Sequence, residues 1–192
     1  MAGAFVGFNE AHDNDAAGVP YPVAAAKWVG GGGVCITPGD TAPFASLSAM
    51  TVQGNIVISD GTRNSGGGGM VLQEGAHLVV APEVVHVYAN HAVRGAGVLL
   101  TLRSQLDAAP GEILTNVTGN SASGSGCAMR MDGCQSSSAV APSGIGGGVL
   151  CNGCTKMHGV RVSQNVAVSG GGLVVGCWNC SGMPAPTTVQ LA

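Results

Sequence analysis

The sequence predicts an all-β chain wound as a parallel β-solenoid, and three observations carry that expectation. Glycine clusters recur along the chain, a short alternating apolar segment follows each cluster, and a matched hydrophobe, Asn and Ala precede several of them. Self-similarity at this scale is the signature of stacked repeats.

The segments after the clusters are VCI from Val34, MVL from Met70, VLL from Val98, CAM from Cys127, VLC from Val149 and LVV from Leu173. They start about 22 to 36 residues apart, which implies about six coils. First and third positions form apolar pairs: Val34 and Ile36, Met70 and Leu72, Val98 and Leu100, Cys127 and Met129, Val149 and Cys151, Leu173 and Val175. A period of two is that of a strand with one face turned inward. Upstream of the clusters, VYANHAVRGAG from Val87, VTGNSASGSG from Val117 and VSQNVAVSGGG from Val162 share a hydrophobe, an Asn three residues later and an Ala two after that. Such a unit cannot close a core alone; it must stack on the next, about 4.8 Å away. Helices are disfavoured by the valines and by the density of glycine. Asn90, Asn120 and Asn165 are expected at corners, where Asn tolerates left-handed backbone and can bond to its equivalent one coil away. The organisation expected is one solenoid domain over 1–192, part of a larger protein. Residues 1–30 are less regular, 31–182 form the repeat coils and 183–192 are a tail.

The pattern resembles the repeat of the polymorphic outer membrane proteins, whose tandem FxxN and GGA(I/L/V) motifs match Val87, Asn90, Ala92, Gly95; Val117, Asn120, Ala122; and Val162, Asn165, Ala167, Gly170, Gly171. The matches span about residues 66 to 180. Val replaces the aromatic of FxxN throughout, Ala141 stands where Asn is expected before Gly146, and Asn64 is out of register before Gly66. The resemblance implies a right-handed parallel β-helix, displayed at a cell surface and used in adhesion or as a structural stalk.

Composition narrows the partners. Charged residues are 9% of the chain against about a quarter in a typical domain, and aromatics only 4%. With net charge -3 and scattered Lys and Arg, there is no footprint for nucleic acid. No apolar run approaches the about 20 residues needed to insert in a membrane, and the amino terminus has no basic region of a secretory signal.

Seven cysteines stand at 35, 127, 134, 151, 154, 177 and 180. Cys151, Cys154, Cys177 and Cys180 have the C-x2-C spacing of a zinc site. The two pairs are also offset by about one coil, which would set Cys151 over Cys177 and Cys154 over Cys180 at disulfide distance. Bridges within the CNGC and CWNC turns are a further arrangement. Cys127, Cys134, Cys151, Cys154, Cys177 and Cys180 are thus disulfide candidates, and Cys35 is left as a buried thiol or a link to another chain. Asn116 (NVT) and Asn179 (NCS) are N-glycosylation sequons. Together with the cysteines, they favour an extracellular setting.

Catalytic material is sparse. GxGxxG, P-loop and GxSxG patterns are absent from the sequence. His77, His86 and His91 cluster loosely, with His86 alternating against Val85 and Val87 and therefore pointing outward. A polysaccharide-cleaving site on a β-helix would need carboxylates converging from successive coils. Asp60, Glu74, Glu83, Asp107, Glu112 and Asp132 share no repeat position. The expectation is a non-enzymatic, cofactor-free structural or adhesive module of the cell surface or extracellular space, a candidate filament subunit. Its partners would be itself, other surface proteins or glycans. The rival is a carbohydrate-binding or pectate-lyase-like β-helix.

Overall fold

The structure is a computed structural model that describes residues 4–12, 29–36, 44–58, 65–109, 111–123 and 144–176. All described regular structure is β-strand, and every ladder is parallel. One winding illustrates the rule. Met70–Leu72, His77–Val80, Val85–Tyr88 and His91–Ala92 follow one another around the axis, and the chain then returns through Gly95 to Val98–Leu100. There Val98, Leu99 and Leu100 lie beside Met70, Val71 and Leu72 in strict register.

Repetition of that step builds four stacked sheets. Sheet I contains Val34–Ile36, Met70–Leu72, Val98–Leu100, Val149–Asn152 and Leu173–Gly176. Sheet II contains Phe44–Leu47, His77–Val80, Gln105–Ala108 and Lys156–Met157. Sheet III contains Ala4–Gly7, Met50–Gln53, Val85–Tyr88, Thr115–Thr118 and Val160–Ser163. Sheet IV contains Glu10–His12, Ile56–Ile58, His91–Ala92, Ser121–Ala122 and Val166–Ala167. A two-stranded pairing of Val29–Gly30 with Ser65–Gly66 is continued by the bridges Arg94 to Ile145 and Ile145 to Ser169. Val98, Val149 and Leu173 are stacked neighbours, as the repeat pattern requires.

Two features differ from the sequence expectation. Val98–Leu100 has Met70–Leu72 on one edge and Val149–Asn152 on the other. Both edges are therefore filled, and no strand beginning at Cys127 intervenes; Cys127 itself lies outside the described residues. The stack also begins before residue 31, because Ala4–Gly7 pairs with Met50–Gln53 and Glu10–His12 with Ile56–Ile58.

The core follows from the alternation. Inward positions of sheet I (Met70, Leu72, Val98, Leu100, Val149), sheet II (Leu78, Leu106, Met157) and sheet III (Val85, Val87, Val117, Val160) form one apolar cluster. A second cluster was not anticipated. The middle residues Val71, Leu99 and Leu150 are also buried, packed with Ile145 and Val174, so sheet I is apolar on both faces, a property of parallel sheets covered on both sides. Between sheet IV and the glycine turn only small side chains fit, and Ala92, Ala96 and Ala122 fill that corner with Val57.

Replacing Leu100, which is fully buried, by Ala is expected to cost about 2–5 kcal/mol in urea unfolding. Val79→Ala on the outer side of sheet II, half-buried, should stay near 0.5 kcal/mol. Equal costs at the two sites would contradict the assignment of inner and outer faces.

Candidate functional site

The most organised polar feature is the corner between sheets III and IV. Here Asn9, Asn55, Asn90, Asn120 and Asn165 stack in one column. In each step one Asn donates both its backbone N–H and its Nδ2 to the Oδ1 of the Asn in the following winding. The amide contacts measure 2.8 Å from Asn9 to Asn55, and 2.9 Å from Asn55 to Asn90, Asn90 to Asn120 and Asn120 to Asn165. The matching backbone donors lie at 3.1, 2.9, 3.0 and 2.8 Å. From Asn55 onward, each Nδ2 also donates back to a valine carbonyl of the preceding winding: Val6, Val52, Val87 and Val117 in turn. Asn55, Asn90 and Asn120 are buried, so these bonds answer the requirement that a buried amide have partners.

Asn90, Asn120 and Asn165 thus occupy the corner expected of them, but the left-handed residue is the one before each Asn. Phe8, Gly54, Ala89, Gly119 and Gln164 have φ of 58°, 63°, 53°, 62° and 53°. That turn sends the Asn side chain inward along the column. Sequence reading missed Asn9 and Asn55, although VGFNEA and VQGNIV carry the same V-x-x-N pattern. It looked for Asn at fixed distance from the glycines and reached Asn64 and Ala141, which lie outside the described residues.

The glycines make the return corner. Gly31, Gly67, Gly95, Gly146 and Gly170 have positive φ. Two residues later, a Cβ on Gly69 would stand 2.6 Å from the Gly97 carbonyl, 2.6 Å from Val87 Cγ1 and 2.9 Å from Asn90 Nδ2. Gly97 and Gly148 face the equivalent atoms of Asn120 and Asn165. Hydrophobe, Asn and glycine are therefore three parts of one packing contact.

Cys151 and Cys154 form a disulfide within the CNGC turn, with Cα atoms 5.4 Å apart, and both are buried. Cys151 stands beside Val175, not Cys177, because the local step is shorter than the cysteine offset, and its sulfur is bonded to that of Cys154 within the turn. Cys127, Cys134, Cys177 and Cys180 lie outside the described residues, as does Asn179. Cys35 is a free thiol at an exposed position, with a pKa pushed up by partial burial of the group. It is thus not the buried thiol of one sequence reading. Asn116 lies on the outer side of sheet III between His86 and Arg161, with Thr118 of its sequon on the same side.

The histidines separate onto three sheets. His77 is on sheet II, His86 points outward from sheet III and is exposed, and His91 is on sheet IV with Nε2 3.0 Å from Ser123 Oγ. Burial pulls the His91 imidazole below its ordinary range. Among the described carboxylates, Asp107 on sheet II is engaged by Lys156 and lies 3.4 Å from His158 Nδ1. Glu74 is in the turn between sheets I and II, whereas Glu83 and Glu112 fall in the turn between sheets II and III of successive windings, at positions that the flanking registers do not make equivalent. Asp60 and Asp132 lie outside the described residues. Among the described residues no group of three His, Cys, Asp or Glu is placed to hold a metal.

The outer side of sheet III is a regular polar surface. Thr51, His86, Asn116 and Arg161 make one column, and Gln53, Tyr88, Thr118 and Ser163 the next. Tyr88 donates to Gln53 Oε1 at 2.6 Å, and Ser163 Oγ lies 3.3 Å from Thr118 Oγ1. Such a surface offers donors and acceptors at regular spacing to a partner laid along the axis. No family model, curated protein or solved structure matches the chain.

Asn120→Ala removes the acceptor of two Asn90 donors inside the stack, at about 1–3 kcal/mol for each orphaned group. Asn9→Ala removes no acceptor used by a described residue and should cost about 1 kcal/mol or less. Chemical denaturation of both variants tests this ranking, and equal losses would refute the column. His91 gives a separate expectation. Its folded pKa is lowered, so its contribution to stability is complete above its unfolded value of about 6.5 and is lost as pH falls through the lower folded value. Stability of the wild type relative to His91→Gln should therefore decline on acidification below about pH 6.5; a parallel pH dependence of the two proteins would contradict it.

Proposed function

We propose that the chain is a structural or adhesive module of the cell surface or extracellular space, folded as a right-handed parallel β-helix. It would comprise about six coils. The right-handed sense is the one that parallel strand crossovers adopt almost always. The reading rests chiefly on one observation: a column of Asn side chains runs through five windings and joins them in register. The stack leaves the outer side of sheet III, with Thr51, His86, Asn116 and Arg161, free of demands from the core. A scaffold of that kind suits display and assembly.

The disulfide Cys151–Cys154 supports an oxidising compartment. The Asn116 sequon, on the outer side of sheet III, agrees with it. Membrane insertion is not part of the proposal; no described helix is long and apolar enough to cross a bilayer. Neither catalysis nor a cofactor is assigned, since Asp107 is engaged by Lys156 and His158. The polar columns of sheet III, with Tyr88 among them, favour glycan binding as the second reading.

Labelling of intact source cells with a membrane-impermeant reagent tests the location, and enzymatic deglycosylation followed by intact mass tests Asn116. Labelling of the chain and a mass loss abolished by Asn116→Gln are expected. Confinement of the chain to the cell interior, or cleavage of a polysaccharide by the purified chain, would overturn the proposal.

A further inference from the structure

The asparagine column has a direction. Every Asn-to-Asn bond runs the same way, from the backbone N–H and Nδ2 of one Asn to the Oδ1 of the Asn in the following winding. At its start, Asn9 donates to Asn55, and among the described residues nothing donates to its Oδ1. At its end, Asn165 accepts from Asn120 and donates Nδ2 to the Val117 carbonyl, and its backbone N–H has no described acceptor. One end of the stack therefore offers a donor where the other offers an acceptor.

The strands at the two ends are complementary in the same sense. Val160–Ser163, Val166–Ala167 and Leu173–Gly176 are the last described strands of sheets III, IV and I at one end; Ala4–Gly7, Glu10–His12 and Val34–Ile36 are the last described strands of the same three sheets at the other. Carrying the internal register one step further sets Val6 over Val162, Asn9 over Asn165 and Ala11 over Ala167, each on its own kind. It also sets Phe5 over Arg161, a cation–π pairing, and Val34 over Leu173. No strand position is claimed twice. The winding opened by Leu173–Gly176 in one copy is continued by Ala4–Gly7 and Glu10–His12 of the next, with no described strand of sheet II at that level. Exposed apolar side chains mark both ends: Phe5 and Phe8 at 56% and 74% exposure, Val166, Val168 and Val175 at 65%, 77% and 47%. Removing such side chains from water favours a contact at both ends.

We propose that the chain associates head to tail with further copies of itself, the last windings of one copy continuing into the first windings of the next through the asparagine column. The contact is heterologous, so it propagates as an open filament and does not close on a dimer. Contact between two like ends is disfavoured, because it would face acceptor with acceptor or donor with donor. The inference rests on the structural role proposed above and adds the partner and the joint.

Val175→Glu places a carboxylate at the trailing end, where the Ile36 of a neighbour would enclose it. Val6→Glu does the same at the leading end, against Val162. Both side chains are at most half-buried in the single chain, and far-UV circular dichroism checks that each variant folds. In sedimentation velocity, the wild type should form a concentration-dependent series of species, and each variant should remain a monomer. An equimolar mixture of the two variants should form a dimer and stop there, since only one intact pair of ends remains. A monomeric wild type at all concentrations, dimerisation of either variant alone, or polymers indifferent to both substitutions would overturn the proposal. The last result would indicate side-by-side assembly and leave the structural role standing; a monomer that cleaves polysaccharide would remove both.

Discussion

In a parallel winding, each inward position has its own equivalent above and below, so a polar group in the interior must find its partners along the axis. The rest of this structure depends on how Asn meets that constraint. A primary amide carries two donors and an acceptor able to take two bonds. In the interior of the column, Oδ1 receives two donors from one winding, and Nδ2 serves both the next Asn and a valine carbonyl. Few other side chains of that size supply both functions. The surrounding valines and leucines supply more of the stability, at about 1.5–3 kcal/mol for each fully buried side chain, against about 1 kcal/mol net for a hydrogen bond. The Asn column chooses the register: a slip by one residue would turn the apolar set outward and strand buried amides.

The windings differ in length chiefly at one place. Residues 13–28, 59–64 and 124–143 all fall between sheet IV and the glycine corner, and residues 37–43 between sheets I and II. Insertions there leave the spacing from valine to Asn to sheet IV untouched. The entropic cost of a longer connection between two fixed ends grows only slowly with its length. Outer residues are similarly independent of inner ones, because side chains alternate across each strand. Sheet III can carry a polar surface of Thr51, His86, Asn116 and Arg161 on one side while Val52, Val87, Val117 and Val162 pack on the other. This separation gives a structural module freedom to vary what it contacts.

Much of the fold was legible because its rule is local. Alternation identified Val98 and Leu100, or Val149 and Cys151, as inward pairs, and V-x-x-N-x-A identified three rungs of the column. Asn9 and Asn55 were lost because the repeats were anchored on glycines, and the variable segment lies between those glycines and the Asn. The same anchoring placed a coil start at Cys127, which lies outside the described residues, and hid that Glu83 and Glu112 fall in the same turn of successive windings. The buried outer side of sheet I was invisible for a different reason: Val71, Leu99 and Leu150 sit in continuous apolar triplets, whose period cannot distinguish one buried face from two. The disulfide partner of Cys151 was undecided in sequence, since a register difference of two residues separates Val175 from Cys177.

The most direct test of the account is a through-hydrogen-bond scalar coupling in the isotope-labelled protein, measured from the backbone nitrogen of one corner Asn to the side-chain Cγ of the next. Couplings from Asn55 to Asn90, from Asn90 to Asn120 and from Asn120 to Asn165 are predicted. Correlation of those amides with carbonyls inside their own windings, and none across to the next Asn, would contradict the column and the stacking built on it.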